Sequence, residues 1–299
     1  MPTIALERKP VDATAASLMA LLCFLWGLTH AVAKLTAPHM PLVLQAGLRS
    51  AIATVLLLAW AQLRSVPLFN RDGTLAAGLV AGALFAGEFL FIFAGLNYTA
   101  ASRMVVFIYL APGLTALGLH LFLPSERLSS TQWAGIVLAF AGIAVAFGDG
   151  FLHGRASWVG DAFGVIGATL WAATTVVIRT TRLTSASATK TLFYQVAVSA
   201  AALPLASVLL GERTEIVVTP MLAASLLYQG AIVTFASYLT WFWLLTRYLA
   251  ARLSVFAFLT PLFGVATGVA LLKEPFTVTF AGAVGLVGAG ILLVNRRTG

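Results

Sequence analysis

The sequence predicts an all-α integral membrane protein with ten transmembrane helices, arranged as two inverted five-helix repeats. Three observations predict this fold class. The 299-residue chain is 60% hydrophobic and only 9% charged, with a mean hydropathy of +0.97, whereas soluble domains carry roughly a quarter charged residues. The apolar residues are gathered into ten runs of transmembrane length, and the last five runs repeat features of the first five. Too few charges remain to cover a water-exposed surface, so the solvent of this fold is a lipid bilayer.

The basic residues and the single cysteine exclude several classes of protein. The net charge of +8 does not indicate a nucleic-acid partner, because lysine and arginine occur singly or in pairs between the apolar runs. Cys23 has no second cysteine with which to form an intramolecular disulfide, and we interpret it as a packing residue. Motifs such as CxxC, HExxH, GxSxG and GxxxxGK[ST] are absent, so the sequence predicts no metal site and no cofactor.

Ten apolar runs have the length of about 20 residues that a bilayer-crossing helix needs. They lie near 15–36, 41–63, 74–97, 102–123, 130–148, 158–178, 191–210, 220–245, 252–272 and 276–294. The polar segment 1–14 precedes them, and no small-residue cleavage site follows the first run. We therefore interpret that run as a retained helix and expect segment 1–14 to be cytoplasmic.

Lysine and arginine also predict the orientation of the spans. If the N-terminus is cytoplasmic, twelve of the 18 basic residues fall on the cytoplasmic side, five fall on the opposite side, and Arg49 lies within a span. This excess follows the positive-inside rule and predicts that both termini face the cytoplasm. The connecting loops are short, so no separate soluble domain is predicted.

The second half of the chain, 158–294, repeats features of the first half, 15–148. Three pairs of segments carry the likeness: LWGLTHAVAK (25–34) with LWAATTVVIR (170–179), ASRMVVFIYLAPGLTALG (101–118) with AARLSVFAFLTPLFGVAT (250–267), and PSERLSSTQWAGIVLAFAGI (124–143) with LKEPFTVTFAGAVGLVGAGI (272–291). Because each repeat has an odd number of spans, the second must enter the membrane upside down relative to the first. Inverted repeats are typical of secondary transporters, whose substrate site lies near the midplane between the halves.

Together with the span count, the LW pair near the start of each repeat and the L-x-P in each fourth helix resemble the drug/metabolite transporter superfamily, in its EamA-type branch. Within that branch the chain is similar to YddG-type exporters of aromatic amino acids. The likeness covers residues from about 15 to 295. It implies a bacterial inner-membrane exporter whose central cavity is lined mainly by the first, third and fourth helices of each repeat. It also implies that the fifth helices lie at the edge of the molecule.

Glu88 is an acid near the middle of the predicted 74–97 span. An ionised acid at that depth costs on the order of 2.5 kcal/mol or more, so it must be paired, protonated or facing water. Residues 88–103 match 237–252 without a gap, which pairs Glu88 with Ser237. A fold requirement shared by both repeats would not demand an acid in only one of them. We expect Glu88 to hold a cationic group or a proton in a cavity; the alternative is a contact between helices.

Several aromatic and polar side chains are expected to share that cavity. Phe85 and Phe91 lie three residues before and after Glu88, and a carboxylate flanked by aromatic rings suits an ammonium group. Trp26 and His30 of the first helix are spaced i, i+4, and Trp171 and Thr175 of the sixth helix repeat that spacing. With Ser237 and with Tyr109 of the fourth helix, they are the remaining candidates for the predicted cavity. The two tryptophans fit packing of the repeats as well as substrate contact. The histidine could titrate near neutral pH and couple transport to protons, with a packing role as the alternative.

Pro112 and Pro261 occupy matching positions in the fourth helix of each repeat. Each removes one backbone hydrogen bond and kinks its helix. Their symmetry favours paired hinges over static kinks. Arg49 stays charged inside its span, and either Glu88 or the carboxylate of a substrate could be its partner.

These residues favour a secondary transporter that exports amino acids, aromatic or neutral, or similar small metabolites by alternating access. An exporter of lipophilic cations is the alternative within transport. An integral-membrane enzyme would need a clustered set of His, Asp and Glu residues, whereas the four histidines are scattered; a channel remains a further alternative. The expected partners are the lipid bilayer, a small-molecule substrate and a proton as a candidate coupling ion. Small-residue motifs such as Gly78-x-x-x-Gly82 are compatible with a monomer or a weak homodimer.

Overall fold

The structure is a computed structural model, and it describes residues 9–95, 98–99, 101–148, 152, 157–212, 215–272 and 278–296. Residues 1–8 of the predicted N-terminal segment therefore lie outside the described residues. The helices of the first half are α1 (Ala13–Thr36), α2 (Leu42–Leu63), α3 (Leu75–Gly95), α4 (Ala101–Ile108), α5 (Ala111–Phe122) and α6 (Ser130–Ala146). Those of the second half are α7 (Trp158–Thr180), α8 (Ala188–Leu209), α9 (Pro220–Leu227), α10 (Tyr238–Arg247), α11 (Ala250–Ser254), α12 (Leu259–Leu272) and α13 (Val278–Asn295).

Most of the described chain is helical and none of it is β-strand, which confirms the all-α prediction. Six of its helical segments are long and apolar enough to cross a membrane: Leu42–Leu63, Leu75–Gly95, Met104–Phe122, Trp158–Thr180, Ala188–Leu209 and Pro220–Arg247. Shorter apolar helices occupy the other four expected positions: Ala13–Thr29, Ser130–Ala146, Ala250–Gly264 and Ala281–Asn295. The chain is thus a multi-pass membrane protein, and the count of ten crossings stays a prediction.

Several helices begin at residues whose side chains bind the free N–H groups of the first turn. Ser129 and Gln132 form a reciprocal capping box at the start of α6. Ser187 accepts a hydrogen bond from the Lys190 amide at the start of α8, and Thr219 accepts one from the Leu222 amide before α9. These caps place the helix starts where the polar turns interrupt the apolar runs.

The two repeats interlock. Helix α1 packs on α12, α2 on α8, α3 on α7 and α8, and α6 on α13, so each of these contacts joins one repeat to the other. Glycines permit the closest approaches: a Cβ on Gly135 of α6 would lie 2.8 Å from the Gly290 carbonyl oxygen of α13. The core therefore lies between the repeats and not within either one.

The fourth helix of each repeat is interrupted just before its proline. In the first repeat α4 ends at Ile108, and Pro112 has no N–H with which to bind the Ile108 carbonyl. In the second repeat a 3₁₀ segment, Val255–Phe258, separates α11 from α12, and Pro261 is the third residue of α12. The interruption is symmetric; whether it acts as a hinge stays a prediction.

A π-helix spans Tyr228–Ser237, between α9 and α10. The matching stretch of the first repeat, residues 79–88, is ordinary α-helix within α3. The repeats therefore differ in backbone geometry at the level of the central cavity. Such π-helical segments are frequent at functional sites.

Candidate functional site

A cavity of about 480 Å³ lies between the two repeats. Residues from α1, α2, α3, α4, α7, α8, the π-helix, α10 and α12 line it. This volume is within the usual range for a small-molecule site, roughly 300–1,000 Å³. Most of the lining is apolar or aromatic, which leaves a few polar groups to orient a ligand.

Four aromatic side chains form one wall. The Trp26 ring meets those of Tyr238 and Trp241 edge to face, with centroids 6.0 and 6.1 Å apart, and Phe85 meets Tyr238 at 5.9 Å. The indole Nε1–H of Trp26 donates a 2.9 Å hydrogen bond to the Ser237 hydroxyl oxygen. Ser237 is therefore placed behind the wall, where it fixes the Trp26 ring, and it does not line the cavity itself.

Glu88 and Arg49 are the two charged residues among the described cavity lining. Only 7% of Glu88 and 4% of Arg49 is exposed. The Arg49 guanidinium carbon lies 4.2 Å from the centroid of the Phe89 ring, and the Nε of Arg49 has no hydrogen-bond partner. Among the described residues no ion pair joins the two charges or satisfies either one. The two groups thus share a cavity without forming an ion pair with each other.

A further part of the lining comes from α7 and from the interrupted fourth helix of the first repeat. Trp171 and Thr175 of α7 line the cavity. Tyr109 follows the end of α4 and also lines it, with its ring 6.2 Å from Trp171 and 6.3 Å from Phe258. The Tyr109 N–H still binds the Val105 carbonyl, at 3.1 Å, so Tyr109 continues the cavity-facing side of α4, one turn after Val105.

Besides Ser237, two predicted cavity residues lie elsewhere or cannot be placed. Phe91 does not line the cavity; its ring packs edge to face on Phe163 of α7, with centroids 5.2 Å apart. The cavity face of α3 instead runs through residues spaced three and four apart, which include Phe85, Glu88, Phe89 and Ile92. His30 belongs to α1, but its side chain lies outside the described part of the structure.

The cavity also contains polar groups that were not among the predicted cavity residues. Gln195 of α8, Gln229 of the π-helix and Thr260 of α12 are buried and line it. The Gln229 side-chain amide donates hydrogen bonds to the side-chain Oε1 of Gln45 and to the Ser225 hydroxyl oxygen, at 3.2 and 2.9 Å. The sequence signal that could have indicated Gln195 and Gln229 is the presence of a glutamine within an apolar span. Among the described residues, no group of three or more His, Cys, Asp or Glu side chains could hold a metal ion.

One end of the molecule is closed by a buried ion pair between the repeats. Glu126, in the 3₁₀ turn after α5, pairs with Arg179 at the end of α7. Glu126 also accepts hydrogen bonds from the backbone N–H groups of Ala250 and Ala251, at 3.1 and 3.0 Å, where α11 begins. Arg179 in turn donates to the Leu245 carbonyl. One acid therefore ties the first repeat to two segments of the second, the end of α7 and the start of α11.

A second ion pair lies at the same end. The Lys190 ammonium is 2.7 Å from the Asp72 carboxylate and 2.6 Å from the Asn70 side-chain oxygen. Hydrogen bonds from Lys190 and then Thr74 hold the pKa of Asp72 well below its ordinary value. A carboxyl group whose pKa is lowered in the folded protein contributes its full stabilisation when the pH is above the ordinary pKa. That contribution is lost only as the pH falls through the lowered pKa. This pair therefore stays intact across physiological pH.

The cavity extends away from this closed end. Ala37 and Leu42, which flank the turn between α1 and α2, belong to its lining. Helix α1 runs from the closed end to that turn, while α7 ends and α8 begins at the closed end. The lining therefore reaches from the middle of the molecule to the end opposite the ion pairs.

The model of the EamA-like transporter family matches residues 13–148 and 158–296, which together are most of the chain. The chain belongs to the EamA-like transporter family. This confirms the resemblance seen in the sequence, and it agrees with the two-repeat architecture of this EamA-like transporter. The family assignment reaches as far as membrane transport and leaves the substrate open.

Curated relatives of this EamA-like transporter match nearly its whole length. The uncharacterized transporter YvbV of Bacillus subtilis is 27% identical over 296 residues, covering 98% of this chain and 95% of the relative. The probable amino-acid metabolite efflux pumps of Salmonella typhimurium and Escherichia coli are each 28% identical, over 285 and 275 residues. They cover 91% and 88% of this chain, and 92% and 89% of the relatives.

A solved crystal structure has the same fold. It superimposes with a TM-score of 0.79 at 22% identity, over 95% of this chain and 99% of the other. At that identity the likeness concerns the fold alone.

Proposed function

We propose that this EamA-like transporter exports amino acids, aromatic or neutral, across the bacterial inner membrane by alternating access. The observation that carries the proposal is that Glu88 and Arg49 share one aromatic-walled cavity and form no ion pair with each other. The names of the Salmonella and Escherichia relatives, which refer to efflux of amino-acid metabolites, point in the same direction.

The two charges match the two ends of a zwitterion. An α-amino acid carries an ammonium group that suits Glu88 and a carboxylate that suits Arg49. Buried unpaired charges are costly, so a ligand that neutralises both of them recovers that cost on binding. The aromatic wall of Trp26, Phe85 and Tyr238 then suits an apolar or aromatic side chain.

A lipophilic cation is the second candidate substrate. It would satisfy Glu88 and stack on the same rings. It would leave Arg49, whose guanidinium group lies over the Phe89 ring, buried without an anion bound to it. The presence of Arg49 in the lining therefore favours a substrate with a carboxylate.

Transport would require the closed end to open. We expect ten crossings in two inverted repeats, with both termini and the two ion pairs on the cytoplasmic side, as the distribution of basic residues predicts. In this conformation the cavity lining extends toward the other side of the membrane. Loading from the cytoplasm then needs Glu126 to separate from Arg179, and Asp72 from Lys190.

The proposal is tested in proteoliposomes with three labelled compounds that share one ring: phenylalanine, phenethylamine, which lacks the carboxylate, and 3-phenylpropionate, which lacks the ammonium group. We expect phenylalanine to be transported in preference to both. Arg49→Gln should remove the preference for phenylalanine over phenethylamine. Arg64→Gln is the matched control, because Arg64 stacks on Trp60 at 4.6 Å but is exposed at the end of the same helix.

Equal or faster transport of phenethylamine by the native protein would support the lipophilic-cation alternative and overturn the amino-acid proposal. Counterflow separates a carrier from a channel, because only a carrier accumulates label against a preloaded unlabelled substrate. Loss of counterflow with flux retained would contradict alternating access.

A further inference from the structure

Gln195 of α8 has an unused hydrogen-bond acceptor at the cavity. The residue is fully buried and belongs to the cavity lining. Its Nε2 donates a 3.1 Å hydrogen bond to the Thr191 carbonyl, one turn earlier in the helix. A carbonyl can only accept, so the amide nitrogen must face Thr191. The Oε1 is left without a partner.

Contacts between helices place Gln195 at the inner limit of the cavity. Thr191 lines a small crevice together with Phe242 and Arg179, at the closed end of the molecule. Gly82 of α3 packs on the carbonyl of Tyr194, the residue before Gln195. Glu88 is six residues beyond Gly82, which is roughly 9 Å along the helix. The unpaired acceptor therefore lies deeper than Glu88, by about the length of an aromatic amino acid.

An unpaired buried acceptor is costly and rare, so it calls for a partner that binds there. We infer that Gln195 determines specificity by accepting a hydrogen bond from the distal end of the substrate side chain, which selects aromatic amino acids carrying a donor, such as the tyrosine hydroxyl or the tryptophan indole N–H. The inference rests on the proposed amino-acid function. Its ligand enters with the ammonium and carboxylate at Glu88 and Arg49 and the ring directed toward Trp241 and Phe242.

Phenylalanine would bind in the same orientation but leave the Gln195 acceptor unpaired. A site built around a hydrogen bond rejects the analogue that lacks the donor, because the protein group then loses its partner. Net hydrogen-bond energies correspond to roughly a three- to tenfold preference. We therefore expect the native protein to have a KM for tyrosine about three- to tenfold below that for phenylalanine, and a similar ratio for tryptophan over 1-methyltryptophan.

The test compares these substrate pairs in proteoliposomes for the native protein, Gln195→Met and Ser199→Ala. Methionine keeps the length of glutamine and removes the acceptor. Ser199 is a matched control: it is fully buried one turn further along α8, its hydroxyl is also unpaired, and it does not line the cavity. Gln195→Met should bring both KM ratios close to one, whereas Ser199→Ala should leave them at the native values.

Each outcome decides the inference. KM ratios that stay unequal in Gln195→Met would overturn the inference. Native KM ratios of one would also overturn it, because a trapped water would then satisfy the acceptor equally for every substrate. The KM ratio of the native protein for tryptophan and 1-methyltryptophan requires no variant, so it still tests the inference if Gln195→Met fails to fold. If the native protein transports no amino acid, the proposed function fails and this inference with it; transport of all four compounds without discrimination overturns the inference alone.

Discussion

Glu88 and Arg49 show how a charged residue acquires its role from its surroundings. Each would be expensive in the middle of a membrane, and an ion pair between them would be the simplest way to reduce the cost. The structure does not form that pair among the described residues; Arg49 lies over Phe89, and both charges line the cavity. A pair of charges held apart is suited to binding a ligand with two charges of its own.

At this scale we predict that Glu88→Gln preserves the fold and impairs transport. No ion pair is broken by the change, and a neutral amide is easier to bury than an ionised acid. The free energy of unfolding should therefore stay within about 1 kcal/mol of the native value or rise. Amino-acid uptake should fall at least about tenfold, as one charge-assisted contact is lost.

Melting temperature and liposome uptake, measured on one purified variant, separate the two roles of Glu88. Glu215→Gln, which removes an exposed acid, is the control for the loss of charge. Native uptake together with a lowered melting temperature would show that Glu88 is a packing residue.

The interrupted fourth helices are the elements best placed to move. Each break occurs within four residues of a proline, and each contributes to the cavity, through Tyr109 in the first repeat and Thr260 in the second. The π-helix adds a third irregular segment next to the same cavity. Irregular backbone in a membrane protein is tolerated where it lines a cavity, and it is where half-helices can pivot.

We predict that Pro112→Ala and Pro261→Ala slow turnover more than they weaken binding. Alanine restores an N–H that can bind the carbonyl four residues earlier, at Ile108 or Ala257, and so joins the half-helices. The maximal transport rate should fall severalfold, with KM changed less than twofold. Pro204→Ala is the control, because Pro204 lies inside α8 and packs on Gly47 away from the fourth helices. Parental transport rates in both variants would identify the breaks as static features.

Across the whole molecule, the closed end depends on contacts that cross between the repeats. Glu126 binds Arg179 and two backbone N–H groups of α11, while Asp72 binds Lys190. The opposite end, where α1 turns into α2, carries the cavity lining. This asymmetry between the ends is what a transporter in one state of its cycle should show.

We predict that Glu126→Gln loosens the closed end. The change leaves Arg179 buried without its counter-charge, which costs about 3 kcal/mol in other proteins, and it weakens the cap on α11. Melting temperature should drop, and hydrogen exchange should speed up at Ala250 and Ala251. Glu212→Gln is the matched control at the opposite end, where a half-buried acid binds the Ser207 hydroxyl. Unchanged exchange at Ala250 and Ala251 would mean that Glu126 does not hold this end closed.

The sequence by itself determined the membrane class, the two-repeat organisation and the family, because these depend on composition and on spacing along the chain. It also placed Glu88, Trp26, Phe85 and Tyr109 in one expected cavity, since an acid in the middle of a span is conspicuous in any alignment of the repeats. All four line the cavity of the structure, while their roles in binding stay predictions.

Tertiary structure decided which helix faces turn inward and which polar groups meet. Helical periodicity places both Phe85 and Phe91 near Glu88. In the structure Phe91 packs on Phe163 of α7 and does not line the cavity, which depends on how α7 approaches α3. The pairing of Glu126 with Arg179 joins residues 53 positions apart in the chain. Neither contact has a signal in local sequence, because both follow from how closely the helices pack at their small residues, and that packing is set by all of the helices together.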